Sequence, residues 1–382
     1  MNSFHPFRPR PAAPARVLRP ALALLLACLA AAAAAAPPSH DPIDLPAALS
    51  QAALKRPLSG IAAQENTMIA VGARGTILVS RDTGKTWKQV QSPVSADLTT
   101  VRFVAPGSAW ALGHDGVVLR SLDHGATWSK VLDGRSLLAL LNAHYRKLSS
   151  AGDAGAAAIL DEIARAAAQS ATPDVLAHPF LDIRIDTGGE GFLAGAFGLL
   201  LHTRDGGNRW EPWLERAAND RRMHLYALEY TADGALYLAG EQGLLRRYDR
   251  ASGRFVALES PYAGTFFGLK ASEAGLAAFG LRGNAYISAD KGASWQRIPL
   301  ATQATVVDAL ACAPGELAFV TQAGQVLLSR NGQVADAGVA RAGDLAGAVL
   351  AGPGQLALAG STGARLARIP GCGADSARIG KN

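Results

Sequence analysis

The chain reads as an all-β seven-bladed β-propeller with Asp-box repeats and one helical-hairpin insert. Three observations carry that reading. An eight-residue element recurs four times, a Gly-x-x-Gly marker returns about every 41 residues, and one stretch changes its apolar period from 2 to 3.6.

The recurring element is Ser/Thr-x-Asp-x-Gly-x-x-Trp, at residues 80–87, 121–128, 203–210 and 288–295. In such an Asp-box the aspartates Asp82, Asp123, Asp205 and Asp290 accept backbone N–H bonds within a turn between the third and fourth strands of a blade. The glycine supplies a positive φ. Trp87, Trp128, Trp210 and Trp295 pack between sheets. Each residue thus has a structural task, and none is assigned a catalytic one. Faded copies surround Asp249 and Asn331.

The Gly-x-x-Gly marker starts at residues 72, 113, 195, 240, 280 and 360, with a degenerate copy at 321. The steps are 41, 82, 45, 40, 41 and 39, which makes seven units with one interval doubled. Each unit alternates as four short strands broken by turn residues; in the second they lie near 100–104, 109–112, 117–121 and 127–131. Four strands per 40 residues is a propeller blade, and blades bury their faces by stacking in a ring. The propeller is expected over residues 41–370 and a tail over 371–382. The seventh unit ends after its third strand, so residues 43–48 are expected to donate its fourth.

The doubled interval marks the insert, residues 132–178. Leu137, Leu138, Leu141, Tyr145 and Leu148 make one helical face, and Ile159, Leu160, Ile163 and Ala167 another, with a turn over 149–153. An αα-hairpin projecting from the propeller is expected, and insertions on repeat scaffolds often lie on the binding face.

Arg8, Arg10, Arg16 and Arg19 precede an apolar run at 21–36 that ends at Pro37 and Pro38, the layout of a secretory signal peptide over residues 1–36. Export to the periplasm is expected, with lipidation at Cys28 as the alternative. The formal charge of +6 rests on 37 basic and 31 acidic residues, and without those four arginines it falls to about +2. The electrostatic case for nucleic acid fails with it. Cys312 and Cys372 remain, and the sequence neither pairs nor separates them. There is no CxxC and no HExxH, so neither a metal nor a cofactor is assigned.

Hydrolytic Asp-box propellers of the sialidase type place Arg-Ile-Pro before the first box. Here Arg297-Ile298-Pro299 follows Trp295 and Arg368-Ile369-Pro370 closes the repeats. No catalytic residue is assigned, and a sialidase-like hydrolase or a glycan-binding propeller stands as the alternative. The binding reading uses the Gly-x-x-Gly loops, which lie on the face opposite the Asp-boxes. They present Arg74, Asp115, Glu241, Gln242 and Arg282, and an inter-blade segment adds Tyr262. Mixed charge with aromatics suits protein recognition.

Several stretches are more specific than the Asp-boxes: Gly72-Ala73-Arg74-Gly75, Gly240-Glu241-Gln242-Gly243, Pro261-Tyr262-Ala263-Gly264-Thr265-Phe266-Phe267-Gly268 and Gly280-Leu281-Arg282-Gly283-Asn284. On these, residues 42–368 resemble the photosystem II stability/assembly factor family of BNR-type propellers, in its proteobacterial branch, where the helical insert belongs. The resemblance implies a non-enzymatic, lumenal or periplasmic factor that holds a membrane-protein subunit during complex formation; the chain itself is expected to be a monomer. In photosynthetic relatives the complex is photosystem II; here a transporter is the other partner considered. It also implies a role for arginines of one face, and Arg74 and Arg282 stand at comparable loop positions.

Overall fold

The computed structural model describes residues 41–330, 332–370 and 372–373. The expected signal peptide, Cys28 and most of the expected tail lie outside the described residues.

Blade 1 comprises β1 (Leu58–Gln64), β2 (Thr67–Gly72), β3 (Thr76–Ser80) and β4 (Lys88–Val90). Blade 2 comprises β5 (Leu98–Ala105), β6 (Ser108–Gly113), β7 (Val118–Ser121) and β8 (Ser129–Leu132). Blade 3 follows with β9 (Phe180–Ile185), β10 (Gly191–Gly195), β11 (Leu200–Thr203) and β12 (Glu211–Pro212). Blade 4 has β13 (Leu225–Tyr230), β14 (Leu236–Gly240), β15 (Leu245–Asp249) and β16 (Arg254–Ala257). Blade 5 has β17 (Phe266–Ser272), β18 (Gly275–Gly280), β19 (Ala285–Ser288) and β20 (Gln296–Arg297). Blade 6 has β21 (Val306–Ala313), β22 (Glu316–Thr321), β23 (Val326–Arg330) and β24 (Gln333–Asp336). Blade 7 has only β25 (Leu345–Gly352), β26 (Gln355–Gly360) and β27 (Gly363–Arg368). Every sheet is antiparallel with its strands in chain order, so the seven blades of the propeller are as the repeat predicts.

Seven apolar clusters fill the seven seams between blades. Six of the seven seams receive one side chain from the start of a fourth strand; the seam between blades 6 and 7 does not, because blade 7 has no fourth strand. Trp87 packs on blade 7, Trp128 on blade 1, Trp210 against Trp110 of blade 2, and Trp295 on blade 4. In blade 4 the position falls to Phe255, whose ring lies 5.2 Å from Phe192 of blade 3. In blade 6 it falls to Val334, paired with Ser329 as Phe255 is with Tyr248. The Asp-boxes hold these anchors in place. In the first, Gly84 N–H donates to Ser80 Oγ at 2.8 Å and Thr86 N–H to Asp82 Oδ1 at 2.9 Å. The second repeats both distances at Gly125 and Thr127.

Residues 43–48 do not supply a fourth strand to blade 7, contrary to the sequence-based expectation. Ile43 is buried with Val94 and Ala96 in the seam between blades 1 and 2. Ser95 N–H donates to Pro42 O at 2.8 Å and Ala47 N–H to Ser92 O at 3.0 Å. Pro42 and Pro46 lack the N–H groups a ladder needs. Closure comes instead from packing of blade 1 on blade 7, with the turn Gln51–Lys55 set against β27. A disulfide between Cys312 and Cys372 separately ties the chain beyond β27 to β21 of blade 6.

The insert is the expected hairpin, α1 (Gly134–Ser150) and α2 (Ala154–Ala168). Asp133 caps α1 in a capping box with Ser136, and Asp153 caps α2. Leu137, Leu141, Tyr145, Ile159 and Ile163 face the propeller in the cluster between blades 2 and 3. Tyr145 fixes the attachment: its hydroxyl donates to Glu215 Oε2 at 2.8 Å and accepts from Leu214 N–H at 3.0 Å. The hairpin joins β8 to β9, a connection on the same side of the ring as the Gly-x-x-Gly turns.

Candidate partner-binding face

Each Gly-x-x-Gly turn joins the second strand of a blade to the third. In five of them the third residue is left-handed: Arg74 (φ 55), Asp115 (φ 54), Phe197 (φ 56), Gln242 (φ 52) and Arg282 (φ 56). The following glycine also has positive φ, which makes the two-residue primed turn that suits twisted strands. That glycine has no room for a side chain. A Cβ on Gly75 would lie 2.0 Å from Val94 O, and one on Gly283 2.0 Å from Thr302 O, because the segment leading into the next blade presses on the turn. The third residue is therefore the one the turn projects outward.

Arg74, Gln242 and Arg282 are exposed. The guanidinium groups of Arg74 and Arg282 make no hydrogen bond or ion pair among the described residues. Arg74 is fixed through its backbone N–H, which donates to Asp97 Oδ1 at 2.7 Å. Glu241 is half-buried and structural in its contacts: Oε2 accepts His224 N–H at 2.8 Å. Tyr262 is half-buried, with its ring 5.8 Å from Phe266 and 6.2 Å from Tyr286. Asp115 is half-buried beside the start of α1, where a Cβ on Gly134 would lie 3.0 Å from Asp115 O.

The structure gathers Glu241, Gln242, Tyr262 and Arg282 on the adjacent blades 4 and 5, where Gly243 N–H donates to Gly264 O at 2.8 Å. It does not bring Arg74 to them: blade 1 lies three blades from blade 5 around the ring. The arginines flank the channel rather than form one patch.

Two features of this half of the ring are assembled only when the blades stack. One is an aromatic run across the blade tops. Phe197 stands 4.5 Å from the His178 ring and 4.7 Å from the His224 ring, and Tyr226 4.9 Å from Phe267. The other is a chain of ion pairs on the innermost strands. Lys270 meets Glu229 at 3.8 Å, Glu229 meets Arg184 at 2.8 Å, Arg184 meets Asp182 at 3.2 Å, and Asp182 meets Arg102 at 2.9 Å. Burial works against the charge on Asp182, but Arg102 and Arg184 outweigh it and hold the carboxyl below its ordinary value. Burial pushes Asp308, across the channel, the other way.

A register shift at one place in every first strand sets this geometry. It aims Asp182 Oδ2 at Leu228 N–H of the next blade at 3.0 Å, and Asp308 Oδ2 at Ala348 N–H at 3.0 Å. The sequence signal was available: both aspartates stand 13 residues before the first position of their marker, Gly195 and the degenerate Thr321. These carboxylates are thus engaged in joining blades. Among the described residues no cluster of three His, Cys, Asp or Glu side chains could hold a metal ion. No described helix is long and apolar enough to cross a membrane.

Residues 53–122 match the family described as photosynthesis system II assembly factor YCF48. The photosystem II stability/assembly factor HCF136 of Arabidopsis thaliana is 35% identical over 68 residues, 18% of this chain and 16% of that protein. Over these residues the chain is similar to photosystem II assembly factors. The aligned segment is thus a small part of that relative's length; the family match over residues 53–122 spans blade 1 and the first three strands of blade 2.

The fold likeness extends over the rest. The structure of YCF48 bound to D1 peptide superposes with a TM-score of 0.57 at 14% identity, covering 87% of this chain and 98% of that one. YCF48 from Cyanidioschyzon merolae gives 0.58 at 14% identity, covering 82% and 96%. A fungal Cps50 (Swd1) propeller, from Myceliophteria thermophila, gives 0.56 at 11% identity, so the architecture is shared well beyond assembly factors.

Proposed function

We propose that this chain is a non-enzymatic binding propeller that holds a segment of a membrane-protein subunit on its Gly-x-x-Gly face. The observation that carries the reading is the pair of exposed, unpaired guanidinium groups, Arg74 and Arg282, held outward by left-handed turns. An arginine kept free of internal partners at that conformational cost is available to a partner's carboxylates or carbonyls. The YCF48 structure with a D1 peptide supports a membrane-protein subunit as the class of partner. The Cys312–Cys372 disulfide supports an exported protein, since such bonds persist in oxidising compartments. The twin substitution Arg74→Glu with Arg282→Glu tests the face. The variant should keep its thermal transition and lose capture of the membrane subunit that the native protein retains from detergent-solubilised host membranes. Equal capture by the variant overturns the assignment.

A further inference from the structure

A cavity of about 550 Å³ lies where the hairpin meets the propeller. Leu141, Ile163, Ala166, Leu176, Leu199 and Leu214 form its apolar walls. Its size falls in the ordinary range of ligand pockets. None of the assigned partner-binding residues lines it.

Its rim is charged in one sense. Arg222 is neutralised by Glu162 at 2.7 Å. His178 is held to about 4 by burial, with the nearby His224 adding to the effect, so its ring is neutral at pH 7. Arg165 is exposed and makes no hydrogen bond or ion pair among the described residues. One uncompensated cation therefore stands over an apolar cavity.

The lip is built as well. Phe197 is 50% exposed, and it is the exposed phenylalanine among the described residues. It occupies the left-handed turn position that other blades give to Arg74, Asp115, Gln242 or Arg282. That conformation is costly for a bulky residue. Its N–H donates to His224 Nδ1 at 3.0 Å, and its ring lies between His178 and His224. A side chain strained, exposed and clamped at a cavity mouth is a contact surface in waiting.

We infer that this cavity seats an apolar peptide segment bearing a carboxylate, with its apolar side chains against the leucine walls and Phe197 and its carboxylate on Arg165. Charge complementarity selects an anionic occupant. Gln169 and Ser170 on the rim offer amide and hydroxyl groups that suit a peptide backbone rather than a hydrocarbon tail. This rests on the reading that the face binds a partner polypeptide, and it adds the chemistry of the segment that reaches the insert.

The test is selection of a phage-displayed random octapeptide library with free C-termini on the full mature chain. The selected peptides are then synthesised and titrated against Phe197→Gly, Arg165→Glu and the twin Arg74→Glu/Arg282→Glu variant. Glycine keeps the left-handed turn, and Arg165 is exposed, so a thermal transition matching wild type verifies folding. The expected result is enrichment of apolar peptides carrying a carboxylate, with affinity at least tenfold weaker for Phe197→Gly and for Arg165→Glu. No enrichment overturns the inference, as does equal affinity for those two variants. Peptides lost only with the Arg74/Arg282 variant overturn the cavity but leave the proposed face standing. Laurate binding with no peptide binding overturns the peptide assignment.

Discussion

Arg184 bridges Asp182 of its own strand, at 3.2 Å, to Glu229 of the next blade, at 2.8 Å. It is the centre of the charged chain that ties blades 2 to 5 together around the channel. Asp182 is almost wholly buried and Glu229 nearly so, while Arg184 keeps about a quarter of its side chain in contact with solvent. Removing the guanidinium leaves Asp182 to Arg102 and Glu229 to the more distant Lys270, with no cation between the two buried carboxylates. Arg184→Met should therefore cost roughly 3 kcal/mol, the lower end for breaking a buried pair, because water reaches its edge. Urea unfolding measures this; a midpoint within error of wild type would show that the chain contributes nothing to the seam. The double variant Arg184→Met with Glu229→Gln should recover part of the loss.

The seam between blades 5 and 6 is underfilled. A cavity of about 540 Å³ lies there, lined in part by Ile287, Gln296, Ile298 and Leu317. Val334, which packs on this seam, sits where other blades place Trp or Phe. Val334→Trp should bury more apolar area against Ile287 and Ile298 and raise Tm by roughly 2–4 °C. Scanning calorimetry with indole fluorescence checks both parts. An unchanged Tm with a solvent-exposed emission maximum would mean the slot does not accept the ring.

The disulfide ties the chain beyond blade 7 to the innermost strand of blade 6. It closes a separation of 60 residues, from β21 to beyond β27. In the chain-entropy account such a loop contributes about 4 kcal/mol. Cys312→Ser should lower the urea midpoint by a corresponding amount. Reductant should shift the wild-type protein to the same midpoint and leave the variant unmoved. A reductant-insensitive wild type would show that the staple adds nothing to the stability of blades 6 and 7.

What was legible in the sequence was local or strictly periodic. The Asp-box Ser80–Trp87 can be read because its hydrogen bonds span four residues. The hairpin can be read because Leu137, Leu141 and Tyr145 keep helical spacing. Ring-level facts were not legible in that way. The five charges from Arg102 to Lys270 meet only after four blades are stacked in register, and the Cys312–Cys372 pair needs the end of the last blade brought back beside the sixth. The fourth-strand donor was misjudged although Pro46 stood within the proposed strand and Pro42 just before it. On the candidate face the turn positions were readable from the glycines, but the freedom of Arg74 and Arg282 and the engagement of Glu241 depend on neighbours from other segments.

Acid should unfold this propeller through its Asp-boxes. Asp82 and Asp290 are held at about 2, chiefly by the side-chain hydroxyls of Thr86 and Ser294 and by the N–H groups of the same residues. In Asp123 burial opposes the charge, yet Thr127 and Ser121 outweigh it and the value is again about 2. The sign follows directly. A carboxyl whose folded pKa lies below its unfolded value, about 3.9, adds stability above that value and loses it as pH falls toward the folded one. The contribution of these three groups is thus constant from pH 5 upward and disappears between about pH 4 and pH 2. Asp182 and Glu229 are lowered as well and act in the same sense. Tm measured from pH 7 to pH 2 should stay level as far as these groups decide it, then fall steeply below pH 4. The triple variant Asp82→Asn, Asp123→Asn, Asp290→Asn should start from a lower Tm at pH 7 and fall less between pH 4 and pH 2. A wild-type slope in that variant would take the Asp-box carboxylates out of the acid transition and leave it to the channel pair.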